Sequence, residues 1–166
     1  GQEFGLQTGW NDDNNNGNYD EEKLQYRPID WSFLDSQAGE EHLRYYKKLI
    51  NLRKMSLALV KGDFFDLYRY TNQNVIVYGY IDQTNGNYDD QLVVIANFSN
   101  SGRTIENVPF FSNGNWYNVL DPNESLILTS DSLGEYFIEA KSARVFSNQD
   151  INLNIDGLNF IPDRIN

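Results

Sequence analysis

The sequence predicts a mainly β protein: an antiparallel Greek-key β-sandwich of about eight strands, preceded by a long loop and one α-helix. Three observations support this prediction. Residues 36–55 repeat apolar side chains at helical spacing. After residue 57, eight short runs rich in β-branched and aromatic residues follow a period of two. Turn-forming Asn, Gly, Asp and Pro residues separate these runs, a spacing typical of a sandwich.

The composition excludes several functional classes. The chain has 166 residues and a formal net charge of −11, which disfavours binding to nucleic acid or to an anionic membrane surface. No apolar stretch approaches the roughly 20 residues that span a bilayer, so we expect no membrane span. With no Cys, disulfides and cysteine nucleophiles are excluded, and we expect the single histidine, His42, to be an exposed helix residue.

The predicted helix covers residues 36–55 and has a wide apolar stripe. Ser36 or Asp35 is the expected N-cap, and the basic residues fall towards the C-terminal end, where the helix dipole favours them. The apolar positions of the helix, with one arginine, are Leu43, Tyr45, Tyr46, Leu49, Ile50, Leu52 and Arg53. So wide a stripe predicts that the helix packs between two bodies.

Eight runs are the predicted strands, and their aromatic residues are expected in the core or in cross-strand pairs. Trp116 is expected to fill the core. The tail at 148–166 reads either as a ninth edge strand or as a linker. The predicted strands are 64–70, 74–81, 91–99, 103–108, 116–120, 125–129, 135–140 and 143–147.

Several segments, in this order along the chain, resemble the end of the α-amylase family, glycoside hydrolase family 13. In that family a loop with a Y-G-x-E-x-G pattern follows the eighth barrel strand, an arginine-proline-tryptophan segment lies after it, and the eighth helix leads into an all-β C-terminal domain. The matching segments here are GQEFG at 1–5, YRPIDW at 26–31, YYKKLINLRK at 45–54, LVKG at 59–62 and LVVIANFS at 92–99.

The resemblance implies three regions. Residues 1–56 would be the end of a catalytic (β/α)8 barrel, comprising the loop after strand eight and helix eight. Residues 57–147 would be the C-terminal sandwich, and residues 148–166 an edge strand or linker. The strand missing before Gly1 would be the eighth of the barrel, and the missing barrel portion would be a partner of this chain.

The family also implies an activity for the parent protein, a retaining α-glycosidase acting on starch, maltodextrin or related oligosaccharides. Its catalytic carboxylates would lie upstream of Gly1, so this chain is expected to hold no catalytic residue and to be inactive alone. An α-glucan or oligosaccharide would bind through the parent's cleft. We expect an extracellular or periplasmic bacterial protein, with the cytoplasm left open.

Four residues are candidates for the substrate cleft, because active sites of this barrel lie at the C-terminal ends of its strands. Glu3 either supports the loop, the interpretation we favour, or contacts sugar. Arg27 pairs with a carboxylate of the site or, as we favour, holds the loop through its guanidinium group. Trp10 and Trp31 are candidates for stacking on sugar rings, although packing beside the helix is favoured for Trp31.

A polar loop partly fits a calcium-binding pattern. Asp12, Asn14 and Asn16 occupy alternate positions, and Asp20 is a later candidate ligand. Lys23 stands where the bidentate Glu of such a loop is expected, so we favour a solvated loop and leave calcium as the alternative. No cofactor is required by the sequence.

Two other classes remain open. The first is a stand-alone, non-catalytic carbohydrate-binding sandwich, which would retain starch by itself, whereas a truncated barrel would not. The second is an assembly domain, for which no particular feature argues.

Overall fold

A computed structural model describes residues 31–84, 89–129, 131–151 and 153. The contacts divide the chain into two units, Gly1–Lys47 and Lys48–Asn166. The boundaries of the three predicted regions, at residues 56 and 147, stay predictions. A short 3-10 helix at Trp31–Asp35 is followed by helix α1, Gln37–Met55, and helix α2, Leu57–Lys61. The strands are β1 Asp63–Tyr70, β2 Val75–Ile81, β3 Gln91–Asn97, β4 Arg103–Pro109, β5 Gly114–Asn118, β6 Ser125–Leu128, β7 Leu133–Ile138 and β8 Ser142–Ser147.

Helix α1 begins as the sequence predicts. The amide of Gly39 donates a hydrogen bond of 3.1 Å to the hydroxyl oxygen of Ser36, which is the capping contact expected at a helix start. Arg53 and Lys54 lie in the last turn, where their positive charges interact favourably with the negative end of the helix dipole. His42 is exposed, in agreement with the prediction.

Helix α2 corrects the sequence analysis, which assigned a period of two from residue 57 onward. Leu57–Lys61 is instead one further helical segment, capped by Ser56, whose hydroxyl accepts from the Leu59 amide. The run is short and almost wholly apolar, so its period does not separate a helix from a strand. The Ser56 cap favours the helical conformation.

All eight predicted strands are confirmed, with ends that agree or differ by one or two residues. They form two antiparallel sheets: a six-stranded sheet in the order β1-β2-β3-β8-β5-β6, and a two-stranded sheet of β4 and β7. The chain leaves the large sheet after β3, returns for β5 and β6, and leaves again for β7 before β8 pairs with β3. This crossing between layers produces the expected sandwich.

The main core lies between the two sheets, as the alternation along the strands predicts. Trp116 is fully buried, and its indole nitrogen donates to the Ser112 carbonyl at 3.1 Å, which satisfies the one polar group of the ring. The buried members of this core are Val75, Val77, Val93, Ile95, Ile105, Val108, Phe110, Trp116, Leu128, Tyr136, Ile138 and Phe146.

A second core cluster joins the two helices to the six-stranded sheet. Its buried members are Leu52 of α1, Ala58 of α2, Leu92 of β3, Val119 after β5, and Leu153. The side chains of Leu92 and Val93 point to opposite faces of β3, because successive residues of a strand alternate. The large sheet is therefore apolar on both faces.

Candidate functional site

Most of the predicted site residues lie outside the described residues, and their roles stay predictions. Trp31 is described: it begins the 3-10 helix and its side chain is 44% exposed. Trp31 is the one predicted site residue within the described ranges. Those outside the described ranges are Glu3, Trp10, Asp12, Asn14, Asn16, Asp20 and Arg27.

Helix α1 has one buried and one exposed apolar side near its C-terminal end. Leu52 is 2% exposed and packs in the second core cluster. Ile50 lies two positions earlier, which places it on the opposite side of a helix with 3.6 residues per turn, and it is 50% exposed. Leu49 and Met55, which flank the Leu52 side, are also exposed. The helix is thus apolar beyond the side that the sandwich covers.

Helix α2 also has exposed apolar residues. Leu57 and Val60 are three positions apart and therefore lie on one side of the helix, where they are 51% and 58% exposed. Ala58, on the other side, is fully buried against the sheet. We call these exposed apolar residues of the two helices the exposed helix face, although those of α1 lie on more than one side of that helix: Leu49, Ile50, Met55, Leu57 and Val60.

A buried carboxylate fixes α2 to the sheet. Asp90, just before β3, accepts through Oδ2 from the Ser56 hydroxyl and from the Ala58 amide, both at 2.9 Å. Its Oδ1 is buried and has no hydrogen-bond partner among the described residues. The carboxylate therefore caps the first turn of α2, where the helix dipole favours negative charge.

The other end of α2 is held by an ion pair. The ammonium group of Lys61 lies 3.4 Å from a carboxylate oxygen of Asp82, which follows β2. The other oxygen of Asp82 accepts from the Thr84 hydroxyl and amide. The Thr84 hydrogen bonds, and then Lys61, hold the pKa of Asp82 below its usual range. Carboxylates that lie next to β2 and β3 thus contact both ends of α2.

A cleft of about 470 Å³ opens beside α1. The ammonium group of Lys48 forms part of its wall and donates to the Leu120 carbonyl at 3.1 Å. Tyr117 contributes an aromatic ring, Asp150 a carboxylate and Leu153 an apolar side chain. Within the described ranges, no group of three or more His, Cys, Asp or Glu side chains is placed to hold a metal ion. Among the described residues that line the cleft, Lys48 is the cationic and Asp150 the anionic side chain.

Solved structures show where this architecture occurs. This chain has the fold of part of an α-amylase. The structure of the α-amylase from Geobacillus thermoleovorans complexed with acarbose matches with a TM-score of 0.57 and 18% identity over 73% of this chain. AmyP in complex with maltose matches with a TM-score of 0.56 and 15% identity over 72% of this chain. A variant of AmyP in complex with maltotriose matches with a TM-score of 0.59 and 16% identity over 74% of this chain.

The α-amylase fold is shared over a limited part of those enzymes. The match spans 24% of the Geobacillus enzyme and 22% of AmyP in its maltose complex. No protein-family model matches the sequence, and no curated protein matches it in a sequence search. At these low identities the α-amylase structures establish the fold, and they confirm the family resemblance that the sequence predicts at the level of fold.

Sequence reasoning missed two features of this region. Asp90 was not recognised as the cap of α2, because it lies 34 positions from Ser56 and only the folded sheet brings them together. Ser56 itself was a usable signal, since Ser directly before an apolar run often starts a helix.

None of the described helices is long and apolar enough to cross a membrane.

Proposed function

We propose that this chain is the C-terminal portion of an α-amylase-like glycoside hydrolase, in which the sandwich stabilises the last helix of the catalytic barrel. The observation that carries the proposal is the contrast between Leu52, which is buried, and Ile50, which is half exposed on the opposite side of α1. A helix with two apolar sides and one covered side fits a position between two bodies.

The exposed helix face supports this role. Apolar side chains gathered on consecutive helices mark a protein contact more often than an ordinary surface. Asp90 and Asp82 hold α2 from both ends, so Leu57 and Val60 are presented in a fixed position. In our proposal the missing barrel portion covers this face.

The parent reaction follows from the proposed origin. The α-amylase structures that share the fold were solved with acarbose, maltose or maltotriose. We propose that the parent acts on α-glucans with retention of configuration, and that its catalytic carboxylates lie in the barrel. On that basis, this chain alone does not hydrolyse starch.

The test uses an extended protein that includes the residues encoded before Gly1. It is expected to release reducing ends from maltodextrin, whereas the 166-residue chain is not. In the extended protein, Ile50→Lys is expected to lower the temperature of barrel unfolding, because a charge would enter an apolar contact. The matched control is Ile127→Lys, at a β6 position that is 72% exposed. An extended protein without activity on any α-glucan would refute the proposal.

A further inference from the structure

The cleft beside α1 has a floor that hydrogen bonds hold in place. The Val119 amide donates to the Val145 carbonyl at 2.9 Å, and the Leu120 amide donates to Oδ1 of Asn118 at 3.0 Å. Lys48 adds its hydrogen bond to the Leu120 carbonyl. The cleft of about 470 Å³ therefore has a fixed wall and room for a bulky side chain. Its apolar lining residues are Val119, Leu120, Pro122, Ile151 and Leu153.

The chain itself leads out of this cleft. Ile151 and Leu153, the last two residues that the structure describes, both line it, and both pack in or against the second core cluster. Residues two positions apart share a side in an extended segment, so this placement is typical of a strand. The pattern continues in the sequence, because Ile155 follows at the next alternate position and Asn152 and Asn154 lie between.

A turn signal follows at once. Asp156-Gly157 is one of the dipeptides that most strongly favour a two-residue β-hairpin loop. In such a hairpin, Leu153 stands opposite Phe160. Opposed residues share a face, so Leu158 and Phe160 would lie on the side of Leu153, and Asn159 on the other. The turn thus sets a register in which most apolar residues of the two arms gather on one side.

We propose that the chain folds back at Asp156-Gly157 as a β-hairpin and that Phe160 of the return arm fills the cleft beside α1. The occupant is the protein's own tail, which lies outside the described residues. Leu153 carries the argument, because it already lines the cleft and is the residue that the register places opposite Phe160. The apolar lining gains from removal of an aromatic ring from water. Pro162, which has no amide N–H, would end the return arm.

The hairpin would give the tail a structural role. It would cover Lys48 and so join the second half of α1 to the chain that follows β8. Of the two interpretations of the tail, the proposal takes the further strand and adds a second arm to it, whereas a linker would leave the cleft open. It goes beyond the proposed function and does not rest on it, because it concerns contacts within residues 48–166 alone.

NMR spectroscopy of the full 166-residue chain tests the contact directly. Nuclear Overhauser effects are expected between the ring protons of Phe160 and the methyl groups of Val119 and Leu120. A mixture of differently labelled chains tells whether the contact forms within one chain. Absence of these effects would leave the cleft to another occupant and overturn the proposal. Effects seen only between chains would assign the cleft to the tail of a second copy, and would overturn it as well.

Two neighbouring residues of the tail provide matched variants. Phe160→Ala is expected to lower the unfolding temperature by about 4 °C or more, because it would empty the cleft. Ile161→Ala removes an apolar side chain from the other face of the hairpin and is expected to lower it by less than about 1 °C. Equal losses would contradict the register.

The chain has no Cys, so an engineered pair reports the register of the hairpin without interference. Asn154 and Asn159 would form a non-hydrogen-bonded pair, the closer kind, so Asn154→Cys with Asn159→Cys is expected to oxidise to an intramolecular disulfide. The control, Asn152→Cys with Asn159→Cys, is offset by two residues and is expected to oxidise more slowly. Equal oxidation of the two pairs would overturn the hairpin. None of these outcomes depends on hydrolytic activity, so a failure here is distinct from a failure of the proposed function.

Discussion

The Asp90 carboxylate accepts a hydrogen bond from the Ser56 hydroxyl at 2.9 Å, although 34 positions separate the two residues. The same oxygen also accepts from the Ala58 amide. One buried carboxylate thus starts α2 and joins it to β3. The positions of Leu57 and Val60, the members of the exposed helix face on α2, depend on this contact.

Replacement of Asp90 by Ala is expected to lower the free energy of unfolding by about 2–3 kcal/mol, because it leaves the Ser56 hydroxyl and the Ala58 amide buried without their acceptor. Urea unfolding of the full chain measures the loss. The adjacent Asp89, which is exposed, provides the control: Asp89→Ala is expected to change stability by less than about 0.5 kcal/mol. Equal losses in the two variants would show that the Asp90 contact does not fix α2.

The two apolar sides of α1 are expected to respond differently to mutation in the isolated chain. Leu52→Ala should cost about 2–5 kcal/mol, because Leu52 is 2% exposed and its removal leaves a cavity in the second core cluster. Ile50→Gln should change the free energy of unfolding by less than about 0.5 kcal/mol, since half of Ile50 is already in water. Urea unfolding compares both variants with wild type. A large loss for Ile50→Gln would mean that this chain already covers the Ile50 side.

Tyr136 is expected to give the chain a stability loss at alkaline pH. Burial, and then its hydrogen bond to Glu124, raises the pKa of the Tyr136 hydroxyl above its ordinary value of 10.0. A raised folded-state pKa means that the stabilisation is complete below about pH 10 and is lost as pH rises further. Tyr136→Phe removes this hydrogen bond and should cost about 1–2 kcal/mol at neutral pH.

The pH dependence separates titration of Tyr136 from a simple packing effect. The difference in unfolding free energy between wild type and Tyr136→Phe is expected to narrow above about pH 10, because the unfolded wild type then releases a proton that the folded one keeps. Tyr70 and Tyr78, whose pKa values burial also raises, are present in both proteins and cancel. Tyr117→Phe, which loses only a contact of 3.4 Å with the exposed Asn115, is the control. A constant difference from pH 7 upward would contradict the role of titration.

The strands were predictable because their side chains obey a local rule. The run of β2 alternates between buried and half-buried residues along its whole length, whereas β3 is a continuous apolar run of strand length between turn residues. The burial of Trp116 follows from the alternation in β5. Helix α1 and its Ser36 cap were predictable for the same reason, since the signals lie within one turn of each other.

The remaining features depend on contacts between distant residues. The cap of α2 by Asp90 and the bulge in β1 between Asp66 and Tyr68 arise only when distant segments pair, and neither leaves a local pattern. The sequence predicts that α1 is apolar on a wide face, yet it does not tell whether Leu52 or Ile50 meets the sandwich. Leu52 is the residue that meets the sandwich, because it packs in one cluster with Leu92 on the outer face of β3.

The second core cluster takes one member from α1 and one from beyond the last strand, so both ends of the segment 48–153 close over the same face of the sheet. Excising only the strands would uncover Leu92 and Val119 on that face and favour aggregation. A recombinant fragment of this sandwich should therefore retain Leu52 at one boundary and Leu153 at the other.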